Sequence, residues 1–584
     1  MCGFFFYYNN DGDKLNIKQI SELKKIQHKR GPDYAGFIKY KNCYFFHNRL
    51  KIIDLKNVSN QPMMCKKTGN VIIFNGEIYN FSNLKEKYLR DYKFFSKSDT
   101  EVILYLYEKL GYEFVRQLNG IFSFVIYDQK KNIIYIARDR FGVKPLNIYY
   151  DNKEIIFSSE IKPILYLKNN ISINKRLVNQ YLINGYIHHS TRTLFDKITT
   201  LDQAFYQIFD LNKFNFTKKQ QYWKLKKNKS LHVKSADEFK KVYHEYFKNS
   251  LNLNITSDVD ISMMLSSGFD SRFMYNKLEE FYEHKIKTFS FGWNDKKYDE
   301  SQYVENNIIK SKSNHKTFKI NLDNFLVDLE HMIKLSESPI GGLGSFGVFK
   351  MYESIQKQNI KVVLSGEGSD ELNFGYINMH ASYINEINDK TKQKKELNIF
   401  NEIYDENLSL DNLRNKYLKA NLLTPDGKEM SNLNNSTTLS SNKIQNNYIK
   451  KYKLPKLLHF QDRAGGGYGI ESRYPYLEND LVDFCFSNNN EYKIINGITK
   501  QHIRLNEDKR LTKKFVAAPQ REFFKKNYKS IYEYIKNGNL KKLGLVDINE
   551  FEKLYHSYSK SNNLGNSFFA WKILNMEIFL NNFI

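Results

Sequence analysis

Hydrophobic patterning changes character once along this chain, and the change limits the fold more than any single residue does. Before about residue 205 the apolar and aromatic runs are short and strand-like, at 3–8, 71–74, 121–127, 133–137 and 154–157. One stretch, 99–110, instead carries apolar positions at helical spacing. A polar, lysine-rich stretch follows at 212–229, with few apolar residues besides Tyr222-Trp223. Beyond it strands alternate with helices: strand 259–265, helix 271–281, strand 288–291, helix 300–310 and strand 361–364. Parallel neighbours need a helical crossover, so alternation predicts a parallel sheet flanked by helices, whereas the first part predicts strand-rich α+β layers. A chain of 584 residues also exceeds what one core usually holds. The expected division is a first domain at 2–205, a linker at 206–230 and a second domain at 231–584. The polar segment 388–447, rich in Asn, Ser and Lys, reads as an insertion or a mobile surface segment.

Charge and cysteine usage narrow the class. The net charge of +25 would suit a nucleic-acid binder, but the lysines are dispersed among Asn, Ile, Tyr and Phe rather than gathered in a stripe. No nucleic-acid partner is expected. The four cysteines, Cys2, Cys43, Cys65 and Cys485, are too few for a disulfide scaffold and none has CxxC spacing, which suits a reduced, cytoplasmic setting. The N-terminus lacks a charged n-region, and no run approaches the ~20 apolar residues of a membrane span.

Two stretches carry chemistry. Removal of Met1 would expose Cys2 with a free α-amine, whose ordinary pKa near ~8 lets it act as base toward its own thiol. A cysteine at position 2 is not a site on its own; a nucleophile needs geometric partners. In the second half, Ser266-Ser267-Gly268-Phe269-Asp270-Ser271 follows a strand and opens a helix. Small residues there admit phosphate to backbone N–H groups at a helix N-terminus, and Asp270 is a candidate Mg²⁺ ligand. The same pattern alone would also serve as a plain helix cap, and no Lys follows as in the GxxxxGK[ST] loop.

The surroundings of Cys2 are more specific. Arg30-Gly31-Pro32-Asp33, His47-Asn48-Arg49-Leu50-Lys51-Ile52-Ile53-Asp54, Phe74-Asn75-Gly76-Glu77 and Ser98-Asp99-Thr100-Glu101 follow in order, then Ala137-Arg138-Asp139-Arg140-Phe141-Gly142 and Ser158-Ser159-Glu160. In order and spacing this resembles the glutaminase domain of class II amidotransferases. The resemblance covers nearly all of the first ~165 residues, since ordered, spaced motifs confirm one another. It implies an N-terminal-nucleophile sandwich of two sheets between helical layers, with Cys2 as nucleophile. It also implies that glutamine's carboxylate meets Arg49, its ammonium meets Asp99, and Glu77 with the Ile52-Ile53 backbone adds contacts. Asn75 and the Gly76 N–H would then be the two oxyanion donors.

The Ser266 loop resembles the SGGxDS signature of ATP pyrophosphatases, with Ser267 where the family has glycine. Ser365-Gly366-Glu367-Gly368-Ser369-Asp370-Glu371 is close to the matching motif of asparagine synthetases. Resemblance continues at Asp462-Arg463, at Glu471-Ser472-Arg473-Tyr474-Pro475 and at Lys500-Gln501-His502-Ile503-Arg504. It implies an α/β parallel-sheet ATP-pyrophosphatase domain using ATP and Mg²⁺. Leu265, Ser266, Ser267, Gly268, Asp270, Ser271, Phe291, Ser365 and Gly366 would form the ATP site. Asp270 and Asp370 would hold the metal, and Glu367 would help deprotonate ammonia. Glutamine and a carboxylate acceptor are the expected partners, and a homodimer the expected assembly.

Three departures bear on the acceptor. Asp202-Gln203-Ala204 stands where many members have Pro-Gly-His. The segment from Glu337 to Ser345 differs from the usual acceptor side. In the RxK-type element, Pro519 falls at the arginine place and Arg521 at the lysine place, which keeps charge but not shape. Aspartate, giving asparagine, is the first expectation. A sugar uronate of surface polysaccharide synthesis is the alternative, because a Gly- and Ser-rich acceptor segment resembles that side branch. Glu337 is the one group in that segment free to pair with an aspartate ammonium.

Overall fold

The structure is a computed structural model, and it describes residues 1–12, 14–282, 286–309, 314–418, 439–504, 519–561 and 567–584. Two antiparallel sheets face each other in the first domain. One runs in the order Ile198–Thr200, Asn147–Tyr150, Glu154–Ser158, Gly3–Asn9, Cys43–Arg49, Tyr34–Tyr40. The other runs Asn215–Phe216, Phe205–Asp210, Ile133–Arg138, Gly120–Asp128, Val71–Ile78, Met63–Met64, with Gln220–Gln221 also on Phe205–Asp210.

Side chains alternate across a strand, which explains why these strands are apolar on both faces. Phe4 and Phe6 meet Ile73 and Val125 in the core between the sheets. Phe5 and Tyr7 point the other way, into a cluster shared with Leu23 of the helix Ile17–Ile26. Ile72 and Phe74 likewise face Val102, Ile103 and Leu106 of the helix Asp99–Leu110. The layers are therefore helix, sheet, sheet, helix, as the sandwich expectation requires.

Five parallel strands form the sheet of the second domain, in the order His315–Ile320, Lys287–Trp293, Ile261–Met264, Val362–Leu364, Glu471–Arg473. Met263, Val362 and Leu364 pack into one hydrophobic cluster and Met264, Phe289 and Val363 into another, so both faces are covered. Chain order reverses direction between Ile261–Met264 and Val362–Leu364. Open α/β sheets bind ligands outside the carboxyl ends of their strands at such a point.

Two expectations need correction. The residues assigned to a linker from 206 onward include most of the strand Phe205–Asp210 and two short edge strands hydrogen-bonded to it. Their polarity is that of a sheet edge, where half the surface faces water. The segment 388–447 contains the helices Lys390–Tyr404, Leu410–Tyr417 and Ser441–Asn447. Its few apolar side chains, among them Phe400, Leu413 and Ile444, gather with Met379 and Ile384 in a satellite core. The part at 419–438 lies outside the described residues. The helix expected at 300–310 is described as Ser301–Asn307. Among the described residues no helix is long and apolar enough to cross a membrane.

The two domains meet along the helix Leu454–Gly467 and the strand Glu471–Arg473. Three consecutive glycines end that helix because its neighbours come too close for side chains. A Cβ on Gly465 would lie 2.6 Å from the Ile470 carbonyl, and one on Gly466 would lie 2.6 Å from Arg30 Nη1.

Candidate functional site

Cys2 stands immediately before the strand Gly3–Asn9 in the first sheet, and the facing sheet brings Asn75, Gly76 and Glu77 to the same end. A pocket there is lined by Met1, Cys2, Arg49, Leu50, Ile52, Ile53, Gly76, Glu77, Ser98, Asp99 and Glu471, among others. Cys2 Sγ lies 3.9 Å from the Leu50 carbonyl. Met1 is buried, and its sulfur lies 3.3 Å from Arg30 Nη2, between the pocket and Gly465. Burial pushes the Cys2 thiol up and lowers the Met1 amine to about 5.

Several of the pocket's polar groups are buried without full hydrogen bonding. Asn75 is fully buried, yet neither its Oδ1 nor its Nδ2 has a hydrogen-bond partner. An orphaned buried amide is costly, about 1–3 kcal/mol, and is expected where a ligand completes it. Gly76 has φ +146°, and a Cβ there would sit 2.0 Å from the Ile121 carbonyl, so only glycine fits. Asp99 accepts from the Ile78 N–H at 3.0 Å, and burial raises its carboxyl to about 6. Burial, then neighbouring Asp99, raise the Glu77 carboxyl well above the usual range, while Arg473 draws it down.

Arg49 is a correction to the expectation of a free guanidinium fork. Nη1 donates to Lys56 O and Asn60 Oδ1, each at 2.9 Å, and Nη2 to Ile53 O and Asp54 O at 3.1 and 2.5 Å. The fork ties down the loop that carries Ile52 and Ile53, while Arg49 still lines the pocket.

The second domain closes the pocket from the other side. Arg473 Nη2 reaches Glu77 at 3.3 Å and its Nε reaches Glu471 at 3.0 Å. From Cys2 a polar path crosses the interface. Arg30 donates to the Cys2 carbonyl at 2.9 Å and clamps Asp462 at 2.9 and 3.2 Å. The adjoining Gln461 accepts from Tyr352 at 2.6 Å and donates to Glu367 at 3.2 Å. The burial of Glu367 raises its carboxyl to about 7, with Asp370 and Asp270 adding to the rise and Gln461 opposing it. A base poised near neutrality suits proton removal from an incoming nucleophile.

All the residues expected at an ATP site lie at carboxyl ends of the parallel strands. Leu265, Ser266, Ser267 and Gly268 lead from the strand Ile261–Met264 into the helix Phe269–Phe281. Ser365 and Gly366 follow Val362–Leu364, and a Cβ on Gly366 would approach Asp270 Cβ to 3.7 Å. Phe291 stands on the neighbouring strand against Gly347, where a Cβ would touch its ring at 2.7 Å. Ser271 Oγ accepts from the Ser266 N–H at 3.1 Å. Ser267, in the place of the family glycine, donates its N–H and hydroxyl to Glu300 at 3.2 and 2.5 Å.

Asp270 and Asp370 converge on Lys500, whose Nζ contacts Asp270 at 2.8 and 2.7 Å and also bonds Asp370. The two carboxylates thus share one cation, the arrangement an Mg²⁺ pair requires. Among the described residues no three His, Cys, Asp or Glu side chains form a ready-made metal site. The remaining ligands of Mg²⁺ would be nucleotide phosphates and water.

On the acceptor side the free carboxylate is absent. Glu337 is buried and accepts from the N–H groups of Ile161 and Lys162 at 2.8 and 2.7 Å, and it pairs with Arg463 at 3.1 Å. It fastens the domains together, which removes it as a clamp for a substrate ammonium. Leu343 N–H donates to Gln520 Oε1 at 2.9 Å, and Gly342 leaves no room for a Cβ beside that oxygen. Pro519 caps the helix Gln520–Lys526 and Arg521 is exposed on it. Ala517 and Ala518 lie outside the described residues.

Gln461, Tyr352, Glu300 and the Gly465–467 run join the site without standing in any of the motifs above, and Lys500 stands in one without a role assigned to it. The glycine triplet and the motif that begins at Lys500 are the legible signals among them.

Comparison with known proteins agrees with this layout. The glutamine amidotransferase domain family matches residues 1–223, and the asparagine synthase family matches residues 243–581. A Methanocaldococcus jannaschii protein, named as a provisional glutamine-hydrolysing asparagine synthetase 2, is 30% identical over 508 residues, 81% of this chain and 94% of that protein. Glutamine-hydrolysing asparagine synthetase 1 of Bacillus subtilis is 30% identical over 390 residues, 64% of this chain and 59% of its own. A solved structure of glutamine phosphoribosylpyrophosphate amidotransferase from B. subtilis covers 45% of this chain and 60% of that one at 14% identity, with a TM-score of 0.28, too slight to bear on the fold.

Proposed function

The chain belongs to the asparagine synthase family, and from that premise we propose that it transfers the amide nitrogen of glutamine to aspartate, with ATP cleaved to AMP and pyrophosphate. One observation carries the coupling of the two half-reactions. The strand Glu471–Arg473 walls the glutamine pocket, and the strand beside it leads into Glu367.

Glutamine hydrolysis falls to Cys2. Once Met1 is removed, the Cys2 thiolate attacks the side-chain amide carbon, the α-amine takes the thiol proton and returns it to the departing ammonia, and water then cleaves the resulting thioester to release glutamate and restore the thiol. Asn75 and the Gly76 N–H stabilise the oxyanion, which accounts for an amide otherwise left unpaired in the core. Asp99 and the Arg49 charge hold the ammonium and carboxylate of the substrate. Loss of Met1 also clears the space between Cys2 and Gly465, where the path through Arg30 and Gln461 starts. Ammonia kept inside that path escapes protonation in bulk water.

At the second site the acceptor carboxylate attacks the α-phosphate of ATP and pyrophosphate leaves. Ammonia then attacks the acyl carbon and AMP leaves, with Glu367 taking the proton. Asp270 and Asp370 would hold Mg²⁺, which when bound offsets phosphate charge. Lys500, in contact with both carboxylates, would then give up part of its contact to the metal.

The names of the relatives support aspartate. A second reading, a sugar uronate, rests on Glu337, whose engagement at the interface leaves the Ser- and Gly-rich acceptor segment without its expected ammonium partner. Fold does not fix substrate. The test supplies ATP, Mg²⁺ and ammonia with aspartate or with a nucleotide-linked uronate, and measures AMP and pyrophosphate. Acceptor-dependent AMP with aspartate, recovered asparagine, and at least a ~100-fold loss in Asp270→Ala are expected. AMP only with the uronate would overturn aspartate, and ADP with phosphate would overturn the adenylation chemistry.

A further inference from the structure

A second cavity among the described residues shares no lining residue with the pocket around Cys2 or with the Ser266 loop, and only Glu337 and Ser338 of the acceptor segment border it. It encloses about 280 Å³ between the domains, comparable with small-ligand pockets. Its first-domain wall includes Tyr186, His188, Arg192 and the segment Asp202-Gln203-Ala204, and its second-domain wall includes Ser338, Lys450, Lys451, His459 and Arg463. On the helix Leu454–Gly467, His459 and Arg463 are four residues apart and share a face, whereas Gln461, which reaches Glu367, is two from each and points away. The cavity is therefore screened from the ammonia-handling carboxylate by the body of a helix.

Its lining is short of negative charge. Six of the described lining residues are cations, Arg138, Arg140, Arg192, Lys450, Lys451 and Arg463, against two carboxylates, Asp202 and Glu337. Both carboxylates are engaged already, Asp202 with Lys219 and Glu337 with Arg463 and two backbone N–H groups. Arg138 and Arg140 are also committed, the first to three carbonyls and the second to Asp483. The other four are less so. Arg463 has a side chain only 1% exposed, yet its Nε and Nη1 find no hydrogen-bond acceptor, and Nη1 has only Glu160 at 3.6 Å. Burial lowers the Lys450 amine, and Lys224 and Lys451 beside it lower it further, a crowding of like charges without an ion pair to Lys450 among the described residues. The remaining wall mixes hydroxyls, Ser190 and Thr191, with rings, Tyr186 and the stacked pair His188 and His459 at 3.6 Å.

We propose that this cavity binds a small phosphate-bearing organic anion, a sugar phosphate in chemical class, at a site separate from glutamine and ATP. Arginine forks and lysine points are the partners phosphate oxygens take, and hydroxyls and rings suit a sugar body. The replaced segment 202–204 lines this cavity, so one departure from the family pattern acquires a location. Because both domains contribute walls, an occupant would be gripped only when they are docked.

The test measures binding by calorimetry on the full-length protein without ATP or glutamine, using glucose 6-phosphate as probe, with glucose and inorganic phosphate as comparators. Glucose 6-phosphate should bind, inorganic phosphate should bind about tenfold or more weakly, and glucose should not bind. Arg192→Ala is at an exposed position and should fold. It and Lys450→Ala should each weaken the sugar phosphate about tenfold and leave aspartate- and ATP-dependent AMP release unchanged. No saturable glucose 6-phosphate binding up to about 10 mM would overturn the proposal. Binding that Arg192→Ala and Lys450→Ala both leave unaltered would also overturn it, since the ligand would then sit at the ATP loop or elsewhere.

Discussion

The proposed glutamine pocket and the proposed ATP site keep their polar groups in opposite states. In the first, Asn75 and one oxygen of Glu77 are buried with no hydrogen-bond partner, and Gly76 is locked in a conformation that only glycine adopts readily. In the second, the groups expected to meet phosphate and metal satisfy one another. Lys500 bridges Asp270 and Asp370, Glu300 takes the Ser267 N–H and hydroxyl, and Ser271 takes the Ser266 N–H. One site is assembled and waits for its ligand, at the cost of unmet hydrogen bonds. The other is neutralised internally, and its ligands must displace protein partners. The difference fits the chemistry, since the reacting side-chain amide of glutamine is neutral and needs ready donors, whereas a metal–nucleotide complex carries the charge to replace ion-pair partners.

The largest effect expected is at the assembled site. Cys2→Ala should lower glutamine hydrolysis by about 10³-fold or more while ammonia-dependent synthesis continues near the original rate. Hydrolysis at an undiminished rate would remove Cys2 from the chemistry and with it one half of the contrast.

Lys500→Met probes the self-neutralised site. It leaves two carboxylates facing each other without their cation. Removing one member of a buried ion pair costs ~3–5 kcal/mol, and the lower end applies here because the Asp370 side chain keeps 43% exposure. Mg²⁺ alone should then raise the melting temperature of the variant by several degrees and that of the wild type hardly at all. Equal response of both proteins to Mg²⁺ would mean that Lys500 does not stand in for the metal.

The smallest effects are in pH dependence. In its proposed role Asp99 acts ionised, and burial raises its pKa to about 6, so KM for glutamine should climb several-fold as pH falls below that value. Glu367 in its proposed role also acts ionised, with a pKa raised to about 7, so synthesis corrected for free ammonia should decline as pH falls through that value. Glu367→Gln should remove this acid limb along with most of the rate. Flat profiles from pH 5 to 8 would show that burial does not tune either carboxylate.

Much of this architecture was legible locally. The helix Asp99–Leu110 and the strands around Phe4, Val125 and Ile134 follow from apolar spacing alone. So does the strand–loop–helix that carries Asp270. What escaped is what depends on distant partners. Arg30 looks like part of a turn until Asp462, 432 residues away, is brought against it. Glu337 looks like a free substrate clamp until Ile161 and Arg463 close on it. The helix Lys390–Tyr404 escaped for another reason. Only a narrow stripe, with Phe400 fully buried and Leu397 and Tyr404 partly so, faces the core, and polar composition hid its periodicity. The roles in the glutamine and ATP sites came chiefly from ordered motifs, since a lone Asp or Arg more often serves a surface ion pair.

The central claim is that nitrogen released at Cys2 reaches Glu367 across the domain interface without entering bulk water. Glutamine labelled with ¹⁵N in its side-chain amide, supplied with ATP, acceptor and an excess of unlabelled ammonium, tests it most directly by mass spectrometry of the amide product. The account predicts product that carries mostly ¹⁵N in the wild type and only unlabelled nitrogen in Cys2→Ala. Product from the wild type whose isotope ratio simply matches the bulk ammonium pool would contradict it.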